Sequence, residues 1–171
     1  TKEIALEKSE ELYILSVAQR TKGLIGEATE TIKTLIANDP NYARAHQENG
    51  YLNVSIGNQP GAATAFARAT RLNPALLSSW QKLAQLYGEL NHTEGQKFAT
   101  QRLKYLTQLP VEIRGARDLM YEGKLGLADT VCRRFLQNNK HHAEAMLLLA
   151  EVGIKLKLYH KAEFLLESCM E

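Results

Sequence analysis

The sequence predicts an all-α chain of helical hairpins, on three observations. Breaker and small residues recur at one spacing: Pro40 and Pro74 lie 34 residues apart, as do Gly23 and Gly57, and Ala28 and Ala62. Between breaks, apolar residues follow helical periodicity. The stretch from Ala43 to Pro74, ARAHQENGYLNVSIGNQPGAATAFARATRLNP, splits into two helix-forming segments, residues 43–56 and 59–72, around Gly57-Asn58. It closes at a proline whose missing amide hydrogen discourages further helix. Counting units from Ser9, Ala43, Leu77, Leu109 and Ala143, the third two residues short, gives about five repeats. They lie near residues 1–42, 43–76, 77–108, 109–142 and 143–171, about ten helices in a single array.

Each element has its own signal. Ile4, Leu6, Leu12, Ile14, Leu15 and Val17 give the first helix its apolar periodicity, and Gly23 is a left-handed stop. Gly26-Glu27-Ala28 opens the second helix, whose Ile32, Leu35 and Ile36 form one stripe until Asn38-Asp39-Pro40. In the second unit Asn58 is the expected cap, and Pro60 sits in the first turn, where its lost donor is harmless. In the third unit Asn91 stands where Gly23, Gly57 and Gly123 stand in others, and asparagine tolerates the same left-handed backbone. Thr93 and Gln96 have capping-box spacing, placing the start of the sixth helix. Pro110 begins the seventh, residues 125–137 make the eighth, and residues 143–156 and 160–170 form the last hairpin.

These residues resemble the tetratricopeptide repeat, a 34-residue helix-turn-helix unit with large, small and aromatic residues at set places. The second unit carries Gly50, Ala62, Phe66, Ala69 and Pro74 there, and the third Trp80, Leu83, Ala84 and Tyr87. The first supplies Leu12, Leu15, Ala28, Ile32 and Pro40; the fourth Ala116, Ala128 and Phe135; the fifth Leu149, Ala150 and Ala162. The sixth helix departs, with Gln96 in the small-residue place. The resemblance implies a right-handed α-solenoid. Its packing logic is physical: small residues let two helices approach, bulky ones fill the gaps between hairpins, and a lone hairpin leaves a face bare.

Composition narrows the function. With 44% hydrophobic and 23% charged residues the chain reads as globular, and a net charge of +2 is too small to argue for nucleic acid. No apolar run approaches a membrane span, and no signal peptide opens the chain. It begins without Met and stops inside a helix-like pattern at Cys169-Met170-Glu171, so it reads as part of a longer protein. Cys132 and Cys169 occupy packing positions without a C-x-x-C pattern, and are expected to be buried free thiols in a reducing, cytoplasmic setting. No nucleotide-binding or metalloprotease motif is present. The His141-His142 pair, even with His160, lacks an acidic or thiol partner at ligand spacing, so no metal or cofactor is expected.

The chain is therefore expected to be no enzyme, but a scaffold for a protein or peptide partner. In arrays of the resembled family the first helix of each unit lines a concave groove. That frame assigns Tyr13, Ile14 and Val17, then Arg44, Gln47, Glu48 and Tyr51, then Ser78, Gln81, Lys82 and Gln85 to the groove. Arg114 and Arg117 follow, then Glu144, Leu148 and Val152. The residues expected to meet a partner are Tyr13, Val17, Gln47, Tyr51, Gln81, Lys82, Arg114 and Arg117, apolar first and basic later. Such a groove suits an extended peptide or helix with a carboxylate or phosphate. The Lys/Asn clamp of chaperone-docking members is missing, because its places read Tyr13, Val17, Glu48, Ser78 and Lys82. An uncapped last hairpin is expected to offer apolar surface for self-association. Residues 110–170 are also similar to the repeats that precede the catalytic domain in bacterial tetratricopeptide-sulfotransferase proteins. Leu149-Ala150-Glu151, Gly153, Leu156, Tyr159, Ala162-Glu163, Leu165-Leu166 and Cys169 carry that phrase. It implies a substrate-recruiting or assembly arm, with transfer chemistry in a later domain.

Overall fold

The computed structural model describes residues 2–159, and the side chains of residues 8–159. The described residues form nine helices and no strand: α1 (Lys2–Thr21), α2 (Ile25–Asn38), α3 (Ala43–Ser55), α4 (Gln59–Leu72), α5 (Leu77–Glu89), α6 (Thr93–Gln108), α7 (Val111–Tyr121), α8 (Leu125–Asn138) and α9 (Ala143–Lys155). The expected tenth helix, with Ala162 and Cys169, lies outside the described residues.

The 34-residue spacing reappears as backbone geometry. Gly23, Gly57 and Gly123 have φ of 81°, 74° and 78°, and Asn91 joins them at 56°. Lys157 ends α9 at φ 61°, although neither glycine nor asparagine marks that place. Hydrogen bonds repeat as well. Asp39 Oδ1 accepts from the Asn41 amide at 3.2 Å, and one repeat later Asn73 Oδ1 accepts from the Ala75 amide at 3.0 Å. Trp80 Nε1 donates to the Pro74 carbonyl at 2.9 Å, and His46 Nε2 lies 2.9 Å from the Pro40 carbonyl.

Helix starts show one departure. Asn58 Oδ1 accepts from the Gly61 amide at 3.1 Å, the expected cap of α4. At α6 the capping side chain is His92 rather than Thr93: His92 Nδ1 accepts from the Gly95 amide at 2.9 Å, its ring stacked on Tyr87 at 4.8 Å. His142 does the same for α9, accepting from the Ala145 amide at 3.3 Å. Both imidazoles thus satisfy amides that the first turn of a helix leaves without partners.

The chain divides into two compact units, the division falling within α6 after Lys104. In the first unit α1 packs on α2, α3 on α4 as well as on α1 and α2, and α5 on α4. At the α1–α2 crossing, Ser16 is buried and donates to the Ala28 carbonyl at 3.2 Å. At the α3–α4 crossing, a Cβ on Gly50 would lie 2.8 Å from the Phe66 ring, so only glycine fits there. Phe66 is fully buried and meets Tyr51 edge-on at 5.1 Å. The third hairpin differs. Gln96, in the small-residue place, is exposed, while Gly95 backs onto Tyr87 and Ala99 is fully buried. Helix α6 keeps the cap register of α4, since His92 and Gly95 stand 34 residues after Asn58 and Gly61, but at the place of the buried Phe66 ring it carries an exposed Thr100.

The second unit has one core of Ile113, Ala116, Met120, Ala128, Cys132, Ala145, Leu148, Leu149 and Val152. Leu148 and Val152 were expected to line a groove, yet both are fully buried. The reason is that α9 packs on α7 as well as α8, so these two side chains join the core of Ile113 and Met120 rather than meeting solvent. Cys132 is a buried free thiol, and burial pushes its pKa up to about 11.

Candidate interaction surfaces

In the first unit α1, α3 and α5 are joined by side chains along the expected working face. Arg20 Nε donates to Glu48 Oε1 at 2.6 Å, linking α1 to α3, and its guanidinium lies 5.2 Å from the centre of the Tyr51 ring. Glu48 is only 2% exposed, while Arg20 keeps 26%. The hydrogen bond to Glu48 raises the Arg20 pKa above its usual value, so the guanidinium keeps its charge. Gln47 Nε2 donates to Ser78 Oγ at 2.9 Å and to Ser79 Oγ at 2.8 Å, linking α3 to α5.

The expected groove residues thus separate by role. Gln47 is buried and works as a tie between repeats. Tyr13 is half-buried, edge-on to Tyr42 at 6.1 Å. Burial raises its hydroxyl pKa, Arg44 opposes this and Glu48 adds to it. Val17 and Tyr51 are half-buried, Ile14 is 59% exposed, Gln81 is exposed and Lys82 half-buried. Lys82 borders a shallow depression with Val54, Gln59 and Glu89. Arg20 was missed by the sequence reading, because nothing in its local pattern announces a carboxylate 28 residues on.

In the second unit the two arginines are engaged internally. Arg117 Nη2 donates to Glu144 Oε2 at 3.1 Å, and Tyr105 Oη donates to the same oxygen at 2.9 Å. The Arg117 side chain is 14% exposed, and its Nε is buried without a hydrogen-bond partner among the described residues. Arg114 Nη1 donates to the Leu106 carbonyl at 3.4 Å. Among the described residues no group of His, Cys, Asp and Glu could hold a metal ion, and no helix is long and apolar enough to cross a membrane.

Repeated helical hairpins, most of the described crossings with small residues, define a tetratricopeptide-like, all-α solenoid fold. Solved structures agree. The chain is similar to the MamA protein, with a TM-score of 0.55 and 15% identity over 96% of this chain and 91% of that one. It is similar to PilF of Pseudomonas aeruginosa at a TM-score of 0.53 and 17% identity, covering 96% and 76%. A third is PilW, a type IV pilus biogenesis factor, at 0.52 and 16%, covering 94% and 76%. These are tetratricopeptide-repeat proteins, and at such identities the likeness is one of fold. No protein-family model and no curated protein matches the chain.

Proposed function

We propose that this chain is a non-catalytic scaffold, one array over residues 1–171, which binds a peptide or partner protein along the face of its opening helices. One observation carries the reading. Arg20–Glu48 and Gln47–Ser78/Ser79 hold α1, α3 and α5 side by side, and leave Ile14, Val17, Tyr51, Gln81 and Lys82 accessible beside them. A wall already held in place binds with less ordering cost than one that must assemble. Aromatic and apolar side chains with a nearby lysine suit an extended or helical segment that carries an acidic group. The buried thiol of Cys132 fits a reducing, cytoplasmic setting.

The test uses immobilised peptides of acidic, neutral and basic composition, with the strongest binder taken to calorimetry. Gln81→Ala with Lys82→Glu should weaken binding about tenfold with unchanged far-ultraviolet circular dichroism. Unaltered affinity would remove this face from the proposal. Arg114 and Arg117 are poorer probes, because Arg117→Glu places a carboxylate against Glu144 and disturbs the fold itself. The sulfotransferase-associated reading rests on the phrase through Cys169, part of which lies outside the described residues, and the reading frame beyond Glu171 tests it.

A further inference from the structure

A cavity of about 410 Å³ lies in the first unit between α4, α5 and α6. Its floor comes from α5, where Trp80 is 6% and Leu83 3% exposed. One wall is a stripe of α4 running from Ala67 to Arg71, and the other is Gly95, Phe98 and Arg102 of α6. Phe98 remains 57% exposed although it meets Trp80 edge-on at 5.7 Å, so it forms a lip rather than part of the core.

We propose that this cavity is a second docking site, which takes one bulky apolar side chain from an acidic segment of a partner protein. Three observations combine. The lining is aromatic and apolar, as in sites that hold an anchor residue. The volume suits one large side chain and its neighbouring backbone, and is far too small for a whole helix. The charged residues lining it are both arginines, Arg71 and Arg102, and none is acidic. A carboxylate beside the anchor therefore meets positive charge at the exposed Arg71, while a basic segment meets like charge.

Trp80 is the single tryptophan of the chain, so its emission reports on the cavity directly. The 171-residue chain is titrated with a capped hexapeptide whose central phenylalanine is flanked by glutamates. Saturable change in Trp80 emission is expected, and about tenfold or greater weakening when the phenylalanine is replaced by alanine. Lysine in place of the flanking glutamates should abolish binding. Arg71→Glu, at an exposed position, should weaken the acidic peptide about fivefold or more without altering the melting temperature. Ala67→Phe should block the cavity, and if it fails to fold the Arg71→Glu arm still decides. Absence of saturable binding, or equal binding by Arg71→Glu, overturns the proposal. So does emission that changes with protein concentration alone, which makes the occupant a second copy. Tighter binding of decanoate than of the peptide also overturns it, making the occupant a small amphiphile.

Discussion

The second and third hairpins share one plan and differ in closure. In the second, Gly50 lets the Phe66 ring reach the α3 backbone, and Tyr51 packs edge-on against it. In the third, a Cβ on Gly88 would meet the Gln96 side-chain amide at 2.6 Å, the far end of a flexible group that can swing away. Phe98 is turned outward and a cavity opens beside Trp80. The lesson is that a repeat tolerates a poor crossing where its neighbours hold it, and that the tolerated defect becomes accessible apolar surface.

The largest test of this contrast is Phe66→Ala, which should cost about 3–5 kcal/mol in urea unfolding, whereas Phe98→Ala should cost less than about 1 kcal/mol. Equal losses would break the comparison. Next, Gly50→Ala should destabilise by about 1–3 kcal/mol through overpacking. Gly88→Ala should be neutral or stabilise by up to about 1 kcal/mol, because alanine favours helix and Gln96 yields. The two capping side chains sharpen the same pair. Asn58→Ala and His92→Ala should each lower stability by about 0.5–2 kcal/mol, and only the second should also shift Trp80 emission, since Gly95 and Tyr87 line its cavity.

The smallest effect at neutral pH extends the comparison to the fourth hairpin. Burial holds the Cys132 thiol up at about 11 against an ordinary 9.0, so the unfolded chain loses this proton first. Stability should therefore be unaffected at neutral pH and fall as pH rises from about 9 towards 11. Cys132→Ala should remove that part of the slope, measured by thermal melts across the range. An unchanged slope would mean that this crossing is as open as the third.

Much of the fold was legible in the chain. The helix breaks, the left-handed Asn91 and the Asn58 cap follow from local backbone rules that each residue carries with it. The surface was less legible, because helical periodicity assigns a side chain to a face but not to a neighbour. Gln47, Arg117, Leu148 and Val152 all lie on opening helices as expected, yet all four are engaged within the fold. Ile14 and Leu15, read as part of an apolar stripe, are exposed, while Ser9 and Ser16 of the same helix are buried.

What the sequence determined by itself is an array of helical hairpins, since breaker spacing and small residues at the crossings act through chain geometry that no distant contact has to supply. Tertiary structure alone decided which side chains stay available. Ala99 is buried and Phe98 exposed just as Ala65 and Thr64 are one repeat earlier, but with Gln96 and Thr100 in the places of Ala62 and Phe66 the third hairpin has a cavity beside Trp80. How α6 seats on Tyr87 and Trp80 is a balance of packing that cannot be written in any single repeat.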